Sequence, residues 1–280
     1  MTKVKRLTVF LLPANTENKI VQSETEFDMY ENETFSVKYF EDGGIEHKVV
    51  AKFDEKGKKT EEINYFDENE ISEHYYFTRN SAGLVENVKI KYADGSESIK
   101  YYKRENNNKQ ITITTVDDNG DLEEKEILIF DDNENVLERT LFDEDNKLSE
   151  KHINTYNDKN QLLHHKEFDA DNKLSSEKEY EYNEAGSLLK RITYTPSGKI
   201  VDFIMMTYDA QNRPIEHKLG NRYTIKYSYN EAENIQIEER YKPNGVLEHR
   251  AELKFDDENR LLEEIMPYGK KVYLYEFYNE

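Results

Sequence analysis

The sequence predicts an all-β protein, an antiparallel meander of strand–turn units about 12–14 residues long, and three observations predict it. A short motif recurs along most of the chain. The recurrences are evenly spaced. The composition is polar overall, yet its 21 Tyr and 13 Phe are distributed at regular intervals rather than clustered or absent.

The motif is an aromatic residue followed by turn chemistry: FDEKGKK at Phe53, FDENEIS at Phe66, VDDNGDL at Val116, FDDNENV at Phe130 and FDEDNKL at Phe142. It continues as YNDKNQL at Tyr156, FDADNKL at Phe168, YNEAGSL at Tyr182, YTPSGKI at Tyr194 and YDAQNRP at Tyr208. The last three are YNEAENI at Tyr229, YKPNGVL at Tyr241 and FDDENRL at Phe255. Of these 13 units, 12 begin with an aromatic and 10 carry Gly or Asn four residues on, which is the composition of a tight turn. Asp or Asn at the first turn position accepts hydrogen bonds from backbone N–H groups just downstream, and Gly or Asn tolerates the left-handed conformation that closes a bulged hairpin. Pro196 and Pro243 stand where a fixed φ suits a type I turn. Leu, Ile or Val then follows six residues after the aromatic in 10 of the 13 and begins the next strand.

The spacing adds a longer period. From Val116 to Tyr208 the intervals run 14, 12, 14, 12, 14, 12, 14, so the true period is 26, a double repeat of two strands. All intervals are even, and strand alternation then places the anchors on one face, subject to phase shifts at bulges. Strand middles are polar, with Glu138, Glu150, His152, His164, Lys166 and Lys178. A flat sheet of that kind buries little, so the sheet is expected to be open but curled or wound on itself, with the aromatics supplying most of the burial and opposite charges pairing across strands. Val201–Met206 is the most apolar stretch and is expected to be the best-buried strand, the alternative being a partner-binding patch. Residues 49–280 form the array, with irregularities at 93–110, which ends in an Asn-rich hairpin tip, and at 212–223. Residues 1–48 fit the unit poorly and are read as N-terminal strands, able to cap the first edge.

These units resemble the YD repeats of the Rhs type, which join an aromatic–Asp pair, a turn Gly, a Leu and a following strand. The resemblance spans roughly residues 49–280. It implies a wound β-sheet and a neighbourhood of proteins that enclose toxin polypeptides or act as extracellular adhesins. This chain is much shorter than those shells and lacks their core segment and a C-terminal toxin domain.

Chemistry is sparse. There is no Cys and no Trp, which excludes disulfides, thiolate metal sites and cysteine nucleophiles. Phosphate loops, nucleophile elbows and HExxH helices are absent. The Asp-rich turns invite a calcium reading, but turn chemistry accounts for the same residues and none has the Gly and distal Glu of an EF-hand loop. Among the seven His, the neighbours His164 and His165 point to opposite faces of a strand, while His152 and His164 share parity on consecutive units and can pair across strands. No catalytic, cofactor or metal residue is assigned. The singled-out positions are structural anchors: Phe130, Phe142, Tyr156, Phe168, Tyr182, Tyr194, Tyr208, Tyr229, Tyr241 and Phe255.

A net charge of −20 opposes binding to nucleic-acid phosphates; a basic partner is its electrostatic complement, while on composition alone an acidic surface that keeps a sheet-rich protein soluble is the favoured reading. The start, MTKVKRLTVFLLPAN, has too short an apolar run for a signal segment and reads as a first strand, and no stretch reaches bilayer-spanning length, so the expectation is a cytoplasmic protein off the membrane. The leading functional expectation is a non-enzymatic binding scaffold, an immunity protein or chaperone for a basic toxin or effector, with DNA mimicry a variant of it. The alternatives are a structural or adhesive β-repeat module and, more remotely, a carbohydrate-active hydrolase working in a groove.

Overall fold

A computed structural model describes residues 3–16 and 18–279. All regular structure among them is β-strand. In chain order the strands are β1 (Val4–Pro13), β2 (Ile20–Phe27), β3 (Glu33–Tyr39), β4 (Ile45–Phe53), β5 (Lys59–Tyr65), β6 (Ile71–Arg79) and β7 (Val85–Tyr92). There follow β8 (Glu97–Glu105), β9 (Gln110–Asp117), β10 (Leu122–Phe130), β11 (Val136–Phe142), β12 (Leu148–Tyr156), β13 (Leu162–Phe168), β14 (Leu174–Tyr182) and β15 (Leu188–Tyr194). The last are β16 (Ile200–Tyr208), β17 (Pro214–Leu219), β18 (Tyr223–Asn230), β19 (Ile235–Tyr241), β20 (Leu247–Phe255), β21 (Leu261–Met266) and β22 (Gly269–Phe277). They belong to one 22-stranded sheet. The chain divides into two compact units: residues 1–97, 228–239 and 249–280 form the first, and residues 98–227 and 240–248 the second.

In the second unit the sequence arithmetic becomes geometry. Strands β10 to β16 alternate nine and seven residues, joined by five-residue turns, which gives the 14 and 12 spacing. The aromatic anchor and the residue six positions on are the closing pair of each hairpin: Phe130 faces Val136, Phe142 faces Leu148, Tyr156 faces Leu162, Phe168 faces Leu174, Tyr182 faces Leu188, Tyr194 faces Ile200 and Tyr208 faces Pro214. The turn between them is built as its composition demands. Asp131 Oδ1 accepts from the N–H groups of Asn133 (2.9 Å) and Asn135 (2.9 Å), and Asp169 Oδ1 does the same for Asp171 and Lys173. The fourth turn residue takes a positive φ, 59° at Asn146 and 58° at Asn172, with Glu134 at 64° in one turn that lacks Gly or Asn there. Asn172→Ala is therefore expected to destabilise by about 1 kcal/mol while Asn172→Gly is close to neutral, as read by urea denaturation. Equal midpoints for the two variants would contradict the turn assignment.

Each closing pair also carries a bulge, and this corrects the face assignment. Ile129 faces Glu138 but Phe130 faces Val136, so β11 uses an extra residue, Leu137. The extra residue reverses the alternation at each of these hairpins. Phe130, Tyr156, Tyr182 and Tyr208 consequently lie on one face at one end of the strands, and Phe142, Phe168 and Tyr194 on the other face at the other end. Successive anchors within a row are linked through hydroxyls: Tyr156, Tyr182 and Tyr208 donate to the backbone oxygens of Val136, Leu162 and Leu188, each the closing partner of the preceding anchor in that row. Burial raises the pKa of all three phenols, which keeps them as donors.

The first unit holds β1 to β7 and β21 and β22, and it corrects the expectation of an open sheet. β1 pairs with β2 on one side and β22 on the other, so that Val9 faces both Ser23 and Tyr273. The first and last strands are hydrogen-bonded to each other, which fills both edges that an open meander exposes. The repeat also begins earlier than the sequence motif suggests. Phe27 faces Glu33 and Tyr39 faces Ile45 in closing pairs of the same kind, and near Phe66 the pair is Tyr65 with Ile71, which leaves Phe66 61% exposed.

Burial is spread thinly. The buried apolar side chains among the described residues are Val9, Val37, Ala51, Val88, Ile90, Ala251 and Met266 in the first unit and Ile192 in the second. Aliphatic rather than aromatic groups are thus the most deeply buried apolar side chains, because a ring at a strand end keeps its rim in solvent. The expected ion pairs cross the strands on both faces, with Lys151 to Glu138 at 2.9 Å on one and Lys178 to Glu167 on the other. The Asn-rich segment forms the β8–β9 hairpin tip, with Asn106, Asn107 and Asn108 all at positive φ. The 212–223 irregularity is the short strand β17 and a tight turn through Gly220, where φ is 55°.

Candidate functional site

Two features of the second unit combine residues that fold chemistry alone does not require. The first is a charged rim. Strands run antiparallel, so the turns after β9, β11 and β13 lie at the same end of the sheet. They carry Asp117, Asp118 and Asp121, then Asp143, Glu144 and Asp145, then Asp169 and Asp171, against Lys147 and Lys173. At the opposite end only the turn 131–135 matches them, with Asp131, Asp132 and Glu134, and there Lys109 pairs with Asp132. The next turns at that end are weaker: residues 157–161 hold Asp158 with Lys159, 183–187 hold only Glu184, and 209–213 set Asp209 against Arg213. Asp117, like Asp54, Asp209 and Asp256 elsewhere, is held below the usual carboxylate range chiefly by the backbone N–H four residues on, which outweighs desolvation.

Beside this rim, across the turn at residues 195–199, β16 begins with exposed apolar side chains. Ile200 is 51% exposed, Val201 58% and Met205 42%. The run expected to be the best-buried strand is instead among the more exposed. Val201 is the bulge residue between the pairs Tyr194–Ile200 and Thr193–Asp202, and the bulge turns it outward. Asp202 in the same strand pairs with Arg191 at 3.3 Å.

The second feature is a pair of histidine–carboxylate groups on opposite faces of β13. His164 and His165 do point apart. His165 meets His152 and Glu167 on one face, and His164 meets Glu177 and Glu179 on the other. His152 therefore partners His165 and not His164. The bulge is the reason: Thr155 faces His164 and Asn154 faces His165, so residues of unlike parity share a face across this hairpin. Counting back from the closing pair Tyr156–Leu162 with one extra residue would have found the contact.

In the first group, His152 Nδ1 lies 3.3 Å from His165 Nε2, which lies 3.0 Å from Glu167 Oε1. Glu167 also accepts from Ser176 Oγ at 2.7 Å and from Lys178 Nζ. Burial alone would raise its pKa, but Lys178, Ser176 and His165 together outweigh it and hold the carboxyl down at about 2. Burial pushes His165 below its ordinary value. In the second group, His164 Nδ1 is 3.7 Å from Glu177, Lys166 is 3.4 Å from the same carboxylate, and Tyr194 donates to Glu179 at 2.9 Å. The anchors Phe130, Phe142, Tyr156, Phe168, Tyr182, Tyr194 and Tyr208 frame these strands. Tyr241 instead lines a shallow groove of about 480 Å³ with Lys218, Tyr223, Lys226 and Lys242. Phe255 closes the β20–β21 hairpin against Leu261, and Tyr229 lies in β18.

No family model matches the chain, and no curated protein does. Among solved structures, the chain is similar to a chain of the Photorhabdus luminescens Tc holotoxin pore that carries TccC3, at 13% identity and a TM-score of 0.38 over 94% of this chain and 18% of that one. A TcdB2–TccC3 structure matches at 13% identity and a TM-score of 0.32 over 93% and 19%. The chain thus spans about a fifth of the length of those toxin chains. A porin-like protein from Bacteroides uniformis matches end to end, over 98% of this chain and 97% of that one, at 9% identity and a TM-score of 0.37.

Proposed function

We propose that this chain is a non-enzymatic binding scaffold of YD-repeat type that receives a basic protein segment, in the manner of an immunity protein or chaperone for a cationic toxin or effector. The observation that carries the reading is the placement of exposed Ile200 and Val201 at the end of the second unit where the turns 117–121, 143–147 and 169–173 concentrate carboxylates. Apolar side chains flanked by fixed anions suit an amphipathic, positively charged partner: charge steers the encounter and the apolar patch supplies affinity. Mid-strand ion pairs on both faces fit a sheet in contact with water and protein rather than hydrocarbon. The pairing of β1 with β22 takes up the edges that edge-to-edge assembly of an adhesive module would use.

The test is affinity purification of the full chain from its native host at low and moderate salt, followed by binding measurements on whichever basic protein is recovered. One stoichiometric partner is expected. Its affinity should fall steeply with salt and drop about tenfold or more in a variant with Asp118→Asn, Asp121→Asn and Glu144→Gln, whereas Asp158→Asn with Glu184→Gln leaves it within about twofold. A partner indifferent to both sets, or no partner, overturns the proposal.

A further inference from the structure

The His152, His165 and Glu167 group has the marks of a ligand set rather than of a polar cross-strand cluster. Its starting point is Asn154. That amide donates through Nδ2 to the backbone oxygen of Val136 at 2.8 Å, which leaves Oδ1 facing His165 Nδ1 at 2.7 Å. Oδ1 can only accept, so His165 Nδ1 carries a proton, and in the neutral imidazole Nε2 presents a lone pair to the interior of the group. There it meets Glu167 Oε1 at 3.0 Å, and a carboxylate too has only lone pairs to offer. In that neutral form two lone pairs at that separation repel unless a cation, a proton or a metal ion, lies between them. His152 closes the group with Nδ1, 3.3 Å from the same nitrogen. Its other nitrogen, Nε2, is buried 3.0 Å from Glu150 Oε1, close enough for an ion-pair contact but without the alignment of a hydrogen bond.

We propose that His152 Nδ1, His165 Nε2 and Glu167 Oε1 bind a divalent transition-metal ion of the zinc class. Nitrogen and carboxylate donors lie about 2.0–2.2 Å from tetrahedral Zn²⁺, which places neighbouring donors roughly 3.3 Å apart. The separations of 3.3 and 3.0 Å between these atoms are close to that value before any adjustment. The surroundings match as well. Ligating imidazoles hold their second nitrogen against a carboxylate or carbonyl oxygen, and here Asn154 stands behind His165 and Glu150 behind His152. The side chains are 14%, 19% and 25% exposed for His152, His165 and Glu167, enough for an ion to reach them from solvent. Lys178 is the competitor: its ammonium holds Glu167 Oε1 and has to swing away on its flexible stem when a metal arrives.

The test uses the full chain, purified without a histidine tag, and titrates it with Co²⁺ and then Zn²⁺. One equivalent of Co²⁺ is expected to develop the intense visible absorption of tetrahedral coordination, displaced by Zn²⁺. His165→Asn and Glu167→Gln should abolish the signal. Asn154→Leu should weaken binding about 10–100-fold through loss of ligand orientation. Lys178→Met should tighten it several-fold. His164→Asn, on the opposite face, should leave it unchanged, and thermal melting confirms that each variant is folded. The wild-type result stands independently of any variant. Absence of a tetrahedral signal in the wild type, its survival in folded His165→Asn protein, or its loss in His164→Asn overturns the assignment.

Discussion

Deletion of β1 is expected to abolish cooperative folding. Val4–Pro13 bonds to β2 along one side and to β22 along the other, and it contributes the buried Val9 together with half-buried Leu7, Phe10, Leu11 and Leu12. Their removal from the sheet forfeits on the order of 5 kcal/mol of apolar burial, which is comparable with the whole stability of an ordinary domain. It also bares two strand edges at once, and exposed edges recruit other chains. Size-exclusion chromatography of protein lacking residues 1–13 should show aggregate or species larger than the full chain gives, with no sharp urea transition. Thr8→Pro is a gentler form of the same test, because Thr8 pairs with Glu24 and Leu274 and proline can donate no ladder bond. A truncated chain that elutes like the full chain and melts at the wild-type midpoint would show that closure by β1 is dispensable.

The second large effect is expected at Tyr182. Its ring is half-buried and its hydroxyl donates to Leu162 O at 2.9 Å, so Tyr182→Ala loses ring burial and leaves a carbonyl short of a partner. The expected cost is about 3 kcal/mol by denaturant titration. Tyr182→Phe removes only the hydrogen bond and should cost about 1 kcal/mol. Tyr101, 47% exposed in β8, is the comparison, with Tyr101→Ala costing less than about 1 kcal/mol. If the Tyr182 and Tyr101 truncations cost the same, the rows of anchor hydroxyls are not what couples one hairpin pair to the next.

The sequence carried the local structure almost completely, because hairpin turns are written in a few residues with strong backbone preferences. Asp at one position and Asn or Gly three later define the turn, and the aromatic and the aliphatic residue six apart turn out to face each other. What the motif hides is the extra residue at each closing pair. Leu137 inverts the alternation without altering the spacing, and the resulting error placed all anchors on one face and joined His152 to His164. Closure was not legible either. Nothing in VKRLTVFLLP distinguishes an edge-capping strand from one that bonds to the far end of the chain, since that contact joins the first strand to the last and depends on how twist accumulates over all the strands between. Phe27 and Tyr39 were overlooked because their turns depart from the common form, with Glu31 in the left-handed position in one and Phe40 where Asp normally stands in the other. The acidic turns could be read from composition. Their weighting toward one end, and their company with Ile200 and Val201, required the topology.

The antiparallel bond between β1 and β22 constrains how such a chain can change length over generations. β1 and β22, joined by alternately directed strands, stay antiparallel to each other only while the number of strands is even, and the bulges of the hairpins from β9 to β17 exchange one face for the other once per strand. Duplicating or losing a single strand–turn unit would leave the two ends running the same way, with every side chain beyond the change on the wrong face. Gain or loss of one long and one short unit together restores direction and face at once. The heritable unit is thus the strand pair, and insertions that persist should come in that size or be confined to the turns.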